Sequence, residues 1–298
     1  MREKQMDLFG SFGGDWTEKK LAILRKYLEA YVVALSKQSF ELLYIDAFAG
    51  TGYREMIGDG LEEGLLFPEL AEQEPQRFLD GSARIALKVK RPFHRYLFIE
   101  KSPRKCDELR NLKKQFPLLA DRIEVEDKEC NGYLRAFCHT TDWAGKRAVL
   151  FLDPFGMQVQ WDTVEAVART HAIDTWILFP LGIGVSRLLK NDGDIPETWK
   201  TCLTRLFGTD EWYSVFYREV NRRGLLGNVK ETQKVCSFDS IAQYYNGRLR
   251  TIFAGVADNP VHLRNSRENP LFLFCFAAGN PKGAPIAVEI AQHILKGW

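Results

Sequence analysis

The sequence lacks the features of disordered, fibrous and disulfide-stabilised proteins. Of its 298 residues, 45% are hydrophobic, 12% aromatic and 27% charged, which leaves ample apolar surface for one large core or two smaller ones. The six cysteines include no CxxC pair, and neither they nor the five histidines show the spacing of a metal site. We therefore expect no metal, and we interpret the cysteines as reduced thiols in a reducing cytoplasm. The cysteines are Cys106, Cys130, Cys138, Cys202, Cys236 and Cys275, and the histidines are His94, His139, His171, His262 and His293.

A strong charge of one sign is also missing. Lys and Arg number 41 against 39 Asp and Glu, so the formal net charge is +2. The field of the whole molecule would not gather nucleic acid, and a polyanionic partner would have to be held by a local patch.

No apolar run is long enough to cross a membrane. The first residues, MREKQMDLFGSFGGDW, contain no apolar core of a secretory signal. The most apolar stretch, Pro270 to Ala278, is far too short to span a bilayer and predicts a buried strand. We expect a soluble, cytoplasmic protein without a membrane partner.

Apolar runs and helical patterns alternate along the first part of the chain. Asp15 and Glu18 form a capping box, which predicts a helix from about Trp16 to Ser36. Strands are then predicted at Leu42–Ala47, Tyr96–Ile99, Arg122–Glu126, Ala148–Leu152 and Thr175–Phe179. Helices are predicted near Ser82–Val89, at Pro103–Gln115, from Asn131 and at Trp161–Arg169. This alternation indicates an α/β fold with a mostly parallel sheet and helices on both faces.

The pattern changes in the second part of the chain. Residues 184–246 predict short helices, which we interpret as a helical insertion or small subdomain within a main domain of residues 1–183 and 247–298. Residues 58–80 are polar and rich in turn formers, and predict a long loop. Two late strands, the last one antiparallel, and a final helix are predicted at Arg248–Val256, Leu271–Ala277 and Pro285–Lys296.

The first predicted strand runs into the small, glycine-containing segment IDAFAGTG. Ligands of open parallel sheets bind beyond the carboxyl ends of strands, so Asp46 would meet polar groups of a ligand there. Gly50 and Gly52 would let the backbone approach that ligand closely. The segment is neither a GxGxxG fingerprint, since the third glycine is absent, nor a P-loop, since GK[ST] is absent.

The next two strands end in acidic segments. Glu100 would accept hydrogen bonds from two ribose hydroxyls, or it is a surface residue paired with Lys101. Further along, Asp127, Glu129 and Asn131 all qualify as partners of an adenine amino group, or are simply solvated.

The fourth strand ends in Asp153-Pro154-Phe155-Gly156, which carries the parts needed for transfer to an exocyclic amine. Asp153 and the carbonyl of Pro154, which lies outside any sheet ladder, would accept hydrogen bonds from the amine N–H groups. Phe155 could stack on the base and hold it in line for the reaction. The alternative is a strand that ends in an ordinary Asp-Pro turn.

Taken together, these motifs resemble those of class I S-adenosylmethionine-dependent methyltransferases that methylate amines. The segments WTEKKLAILRKYLEAY, IDAFAGTG, DGSARIAL and FLDPFG more closely resemble the three-Cys-motif partner protein family. That resemblance implies a Rossmann-like methyltransferase domain, S-adenosylmethionine as cofactor and a partner protein that bears a three-cysteine motif.

A fainter similarity connects the chain to ribosomal RNA adenine-N6 methyltransferases. By that analogy Lys20 would meet the methionine carboxylate of the cofactor, and Gly81 and Ser82 would lie against its tail. The chain departs from the DPPY pattern of that group, since it has one proline and the aromatic residue comes one place earlier.

The sequence therefore predicts a methyltransferase that acts on nucleic acid, with an adenine amine as one candidate acceptor. Two alternatives stay open, namely a non-catalytic protein with a methyltransferase fold and a methyltransferase for small molecules or proteins. Asp153, Pro154 and Phe155 are the candidate catalytic residues. The candidate cofactor-binding residues are Lys20, Asp46, Phe48, Gly50, Gly52, Ser82, Glu100, Glu129, Cys130 and Asn131.

Basic and aromatic residues of the insertion offer a possible nucleic-acid surface. They would grip phosphates and stack on bases, or they form a solvated face whose aromatics point into the core. These residues are Trp212, Tyr213, Tyr217, Arg218, Arg222, Arg223, Lys230 and Lys234.

Overall fold

The computed structural model describes residues 15–48, 81–154, 156–224, 227–265 and 267–298. The predicted loop at 58–80 and the candidate residues Gly50, Gly52 and Phe155 lie outside these ranges. The strands are β1 (Glu41–Ala47), β2 (Arg95–Glu100), β3 (Ile123–Asp127), β4 (Lys146–Leu152), β5 (Ile173–Phe179), β6 (Tyr217–Gly224), β7 (Gly227–Lys234), β8 (Gly255–Val256), β9 (Val261–Arg264) and β10 (Pro270–Ala278). The helices are α1 (Asp15–Ala34), α2 (Ser82–Leu87), α3 (Pro103–Gln115), α4 (Cys130–Thr140), α5 (Trp161–Arg169), α6 (Glu197–Phe207), α7 (Trp212–Phe216), α8 (Phe238–Arg250) and α9 (Ala284–Leu295). Short helical turns cover Pro117–Arg122, Leu181–Val185 and Ser186–Leu188.

The main sheet has the strand order β3-β2-β1-β4-β5-β10-β8, with β9 paired to β10. Strands β1 to β5 are parallel to one another, and β10 runs antiparallel to β5, β8 and β9. The chain builds outward from β1 in one direction and from β4 in the other, so the order reverses between these two strands. The fold is Rossmann-like α/β with an antiparallel last strand, and the predicted fold class is confirmed.

Helices cover both faces of this sheet. Every residue of β5 is buried, as the inner strand of a two-sided sheet requires. On one face, the ring centroids of Trp16 and Phe272 lie 4.8 Å apart, and those of Tyr27 and Phe276 also lie 4.8 Å apart. These contacts fix α1 against β10. On the other face, α4 and α5 pack through Leu134, Trp161 and other buried residues.

The insertion shares the core of the sheet at its helical start. Leu203 and Phe207 of α6 and Trp212 and Phe216 of α7 belong to the same buried cluster as Phe179 of β5. This continuity explains why the segment stays on the sheet. Its treatment as a separate subdomain stays a prediction.

The helical prediction is wrong for residues 217–224 and 227–234. They form the antiparallel hairpin of β6 and β7, in which Gly224 pairs with Gly227. The β-branched residues Val220 and Thr232 favour extended backbone.

The strand predicted at Arg248–Val256 is wrong over most of its length. Helix α8 continues to Arg250, and only Gly255–Val256 pairs with β10. The helix begins with a capping box in which Ser237 and Ser240 bond each other's backbone amides. Because the third helical position holds Ser240 rather than the usual Glu or Gln, this capping box is not recognisable in the sequence.

Within the described ranges, no helix has the length and apolarity needed to span a membrane. The same part of the chain holds no group of three His, Cys, Asp or Glu side chains that could bind a metal ion. All six cysteines are free thiols.

Candidate functional site

The carboxyl ends of β1 and β4 are neighbours in the sheet. Asp46 and Ala47 pair with Phe151 and Leu152, so Asp153 follows β4 beside the end of β1. The parallel register therefore brings the candidate residues Asp46, Phe48 and Asp153 to one edge, at the point where the strand order reverses.

Asp153 forms a buried ion pair with Lys20 of α1. The Lys20 Nζ donates to the Asp153 Oδ2 over 2.9 Å, and the two side chains are 0% and 3% exposed. Burial raises the pKa of Asp153, and the ammonium group of Lys20 opposes that rise. Trp16 adds a second contact, with its ring centroid 4.8 Å from the Lys20 Nζ. The structure thus places Lys20 against the candidate catalytic carboxylate.

Asp46 is a second buried carboxylate in the same cluster, and the neutral side chains of Tyr44 and Ser82 form hydrogen bonds with it. The Tyr44 hydroxyl donates to the Asp46 Oδ2 over 3.1 Å, and the Ser82 side chain also bonds it. Burial raises the pKa of Asp46 to about 7, and the nearby Asp153 contributes to the rise. With both acids ionised and Lys20 charged, the cluster carries one excess negative charge, which suits a cationic ligand.

Phe48 turns the chain sharply after β1. Its φ is 66°, in the left-handed region that non-glycine residues rarely adopt. The Phe48 amide donates to the Cys130 Sγ over 3.2 Å, and that thiol lies 3.5 Å from the Ile99 carbonyl oxygen. Cys130 is therefore a buried link between the ends of β1 and β2. Burial raises the pKa of its thiol well above the usual range.

Glu129 caps the amino end of α4. Its carboxylate accepts from the amides of Asn131 and Gly132 over 2.8 and 2.6 Å. Burial acts to raise the pKa of Glu129, but these bonds, the Asn131 side chain and Arg135 together lower it. Glu129 thus stays ionised at the carboxyl edge of the sheet.

Asn131 has its side chain fully engaged with protein groups. Its Nδ2 donates to Glu129 and to the Gln158 carbonyl, and its Oδ1 accepts from the Gln160 amide and the Thr163 hydroxyl. This residue holds α4 against the segment after β4. Its predicted contact with adenine stays a prediction, as does the choice among Asp127, which is exposed, Glu129 and Asn131.

Glu100 ends β2 and is fully buried. Its Oε1 accepts from the Ser102 amide over 2.7 Å, and its backbone carbonyl accepts from the Cys106 thiol over 3.2 Å. Glu100 is therefore not the exposed surface residue of the alternative interpretation. Its predicted role on ribose hydroxyls stays a prediction.

A cavity of about 380 Å³ opens beside these residues. Its wall from the sheet edge contains Phe48, Glu129, Cys130 and Asn131, which brings four candidate residues together. The segment after β4 adds Met157, Gln158 and Gln160, while Lys101 and α6 complete the lining. A volume of this size is in the range of cofactor sites.

Sequence reasoning missed the wall that α6 contributes. Thr198, Thr201, Cys202 and Arg205 occupy positions i, i+3, i+4 and i+7, so they lie on one face of the helix, and all four line the cavity. This spacing could have identified one face of α6 from the sequence. It does not distinguish a face that lines a cavity from a face that packs on the core.

The described residues fit a ligand such as S-adenosylmethionine. This ligand joins a sulfonium, an ammonium and a carboxylate group to an adenosine. The ionised form of Asp46 would suit its cationic groups, and a partly apolar cavity lies next to this acid. The buried Glu100 and the ionised Glu129 supply acceptors for hydroxyl and amino groups.

The aromatic residues of the insertion are not available for base stacking as a group. Trp212 and Tyr217 are 1% and 4% exposed and belong to the core. Lys234 donates to the carbonyls of Ser186 and Leu189 over 3.3 and 3.1 Å. Trp212 and Tyr217 thus point into the core, as the alternative interpretation expected. Arg218 and Lys230 are exposed to solvent.

Comparison with known proteins finds distant structural likenesses. No family model matches the chain, and no curated protein matches it. A DUF519 protein from Legionella pneumophila, LPL1258, shares 13% identity with a TM-score of 0.46, over 96% of this chain and 93% of that one. The putative methyltransferase YhhF from Escherichia coli shares 11% identity with a TM-score of 0.27, over 70% of this chain and 84% of that one. The fold assignment rests on the strand order given above.

Proposed function

We propose that this protein transfers the methyl group of S-adenosylmethionine to an exocyclic amine of a nucleic acid, with adenine as the candidate base. The observation that carries the proposal is the buried Lys20–Asp153 ion pair at the end of β4, beside Asp46 at the end of β1. A merely structural Asp-Pro turn has no need of a buried charged partner, because burying two charges is costly.

The cofactor would be held along the carboxyl edge of the sheet. Asp46 and Ser82 would meet its charged tail, Glu100 its ribose, and the cavity beside Glu129 and Cys130 its adenine. When bound, S-adenosylmethionine supplies an electrophilic methyl group. The candidate residues Gly50 and Gly52 complete this set from the sequence alone.

Asp153 would orient the acceptor amine. Lys20 donates to its Oδ2, and a carboxylate accepts hydrogen bonds at both oxygens, so the Oδ1 would accept an amine N–H. Lys20 favours the ionised carboxylate, which is the stronger acceptor. The Pro154 carbonyl would accept the second N–H, and Phe155 would stack on the base. Both bonds direct the nitrogen lone pair toward the methyl group.

The test measures binding and transfer separately. We expect Asp153→Asn to lower labelled methyl transfer into RNA or DNA by about 100-fold, while the calorimetric Kd for S-adenosylmethionine changes little. Asp121→Asn, an exposed aspartate outside the site, is the matched control. Full transfer by Asp153→Asn would contradict the assigned role.

The same assay separates the alternatives. Cofactor binding without transfer to any RNA, DNA or protein fraction would favour a non-catalytic protein, and label in protein alone would favour a protein substrate. We also propose that the protein works in the cytoplasm beside a partner with a three-cysteine motif, as the sequence resemblance implies. Co-purification of the full chain with such a partner tests that part.

A further inference from the structure

A second cavity lies at the opposite edge of the sheet, where β4 and β5 begin. Its volume is about 330 Å³, which is in the range of small-molecule sites. It opens between the last turns of α1 and the first turns of α9, and it shares no lining residue with the cavity at the carboxyl edge.

The floor of this cavity carries a buried acid. Asp174 is 8% exposed and accepts hydrogen bonds from the Tyr27 hydroxyl, over 2.8 Å, and from the Gly279 amide. Burial raises the pKa of Asp174 to about 6. A carboxylate can accept about four hydrogen bonds, so Asp174 has capacity for another donor. A neutral side chain would brace Tyr27 at a lower desolvation cost, and a buried acid in a cleft therefore indicates a binding site.

A cation lines the same cavity at a distance from this acid. The guanidinium carbon of Arg147 lies 4.1 Å from the centroid of the Phe40 ring, which holds the group in place. Arg147 donates to the Lys146 carbonyl over 2.6 Å, and it makes no ion pair with Asp174. The exposed Lys282 lies on the same lining. The cavity thus presents opposite charges that do not neutralise each other by contact.

Much of the remaining wall is apolar, although the polar Gln38 and Asn280 also line the cavity. Leu35, which follows α1, and Ile286, Ala287 and Ile290 of α9 form this apolar part. Ile286 is 59% exposed, although it lies next to the cavity. A ligand that covered this side chain would remove its apolar surface from water.

We propose that this cavity binds a zwitterionic α-amino acid with an aliphatic or thioether side chain. The ammonium group would donate to Asp174, the carboxylate would accept from Arg147, and the side chain would pack on Leu35 and Ile286. One carbon carries both charged groups of such a ligand, so a single molecule can meet both residues while its side chain faces the apolar wall.

Four matched probes test the proposal on the full chain. We expect L-leucine and L-methionine to bind by calorimetry, whereas isoamylamine, which lacks the carboxylate, and isocaproate, which lacks the ammonium group, bind at least about tenfold more weakly. The proposal would be overturned if isoamylamine or isocaproate bound as tightly as L-leucine. It would also be overturned if neither L-leucine nor L-methionine bound at millimolar concentration.

Variants then assign the contacts. We expect Arg147→Gln to weaken L-leucine binding by about 10- to 100-fold, whereas Arg169→Gln, a 77% exposed arginine on α5, leaves it unchanged. Asp174→Asn should weaken it similarly, and circular dichroism shows whether that variant folds. If Arg147→Gln binds L-leucine as tightly as the unmodified protein, the carboxylate assignment is wrong.

Discussion

At the scale of single residues, the candidate site is defined by three buried ionisable groups. Two carboxylates, Asp46 and Asp153, share one cation, Lys20, and the ion pair goes to Asp153. Asp46 has hydrogen bonds to the neutral side chains of Tyr44 and Ser82, and its pKa is raised to about 7, so the two acids differ chemically although they lie in one cluster.

Asp46 makes stability depend on pH. Its pKa is about 7 in the folded protein, well above the ordinary 3.8 of an aspartate, so its protonated form is favoured by folding. The contribution of Asp46 to the free energy of unfolding is fully present below about pH 4 and is lost as the pH rises through 7. The difference between the two pKa values corresponds to a loss of roughly 4 kcal/mol. We expect Asp46→Asn to stabilise the ligand-free protein by a few kcal/mol at pH 8 and to change little at pH 4, by urea unfolding.

Among the described residues, the titratable and polar groups that interact with Asp46 include Tyr44, Ser82, Lys20, Asp153 and Cys130. The exposed Asp121→Asn serves as the control, with no expected difference between the two pH values. An equal effect of Asp46→Asn at pH 4 and pH 8 would show that burial does not hold its proton.

The Lys20–Asp153 pair is expected to show strong coupling. Lys20→Met leaves a buried carboxylate without its cation, which should cost about 3–5 kcal/mol in the free energy of unfolding. The double variant Lys20→Met/Asp153→Asn removes both charges and should recover much of that loss. Urea unfolding of all four proteins gives the coupling energy, and simple additivity of the two changes would argue against a direct pair.

At the scale of elements, sequence patterns identified most of the sheet and its helices. Helices α3 and α5 have the predicted bounds, because Pro103 begins the first and an amphipathic pattern marks the second. The hairpin of β6 and β7 was missed because its charged residues carry no alternating apolar pattern.

The candidate site was predicted only in part, because sequence patterns reveal local features but not contacts between distant residues. Strand ends can be found in a sequence, so Asp46, Glu100 and Asp153 were identified as candidates. The Lys20–Asp153 bond joins residues 133 positions apart, and it depends on the packing of α1 against the sheet, to which the contacts of Trp16 and Tyr27 with β10 contribute. The same holds for Asp174 and Arg147, whose strand-start positions carry no recognisable motif.

Helix α6 ends at a glycine that other residues cannot replace. Gly208 has a φ of 71°, and a Cβ placed there would overlap the Trp161 ring. We expect Gly208→Ala to destabilise the protein by several kcal/mol, since backbone strain costs about 1–2 kcal/mol and overpacking 1–3 more. Gly145→Ala is the matched control, because its φ is 69° but no atom lies within 4 Å of the added Cβ. Equal losses in thermal unfolding would exclude the contact with Trp161 as the cause.

At the scale of the whole molecule, charge is nearly balanced but unevenly distributed. The hairpin of β6 and β7 carries five basic residues against two acidic ones, within a chain whose net charge is +2. If the proposed nucleic acid substrate contacts this hairpin, salt should weaken binding in proportion to the phosphates engaged.

Neutralising two exposed cations tests this surface. We expect Arg218→Gln/Lys230→Gln to lower the slope of log K against log salt by about two for RNA binding. Lys113→Gln/Lys114→Gln on α3 removes the same charge elsewhere and should leave the slope unchanged. Equal slopes for both double variants would place the nucleic-acid surface away from the hairpin.

The packing of α1 on β10 has a consequence for biosynthesis. Lys20 lies between Trp16 and Tyr27, and both of these rings are held by aromatic residues of β10. A nascent chain exposes Lys20 and Asp153 long before β10 has been translated. We therefore expect the Lys20–Asp153 ion pair to form only after this downstream strand has been synthesised and α1 has packed on it.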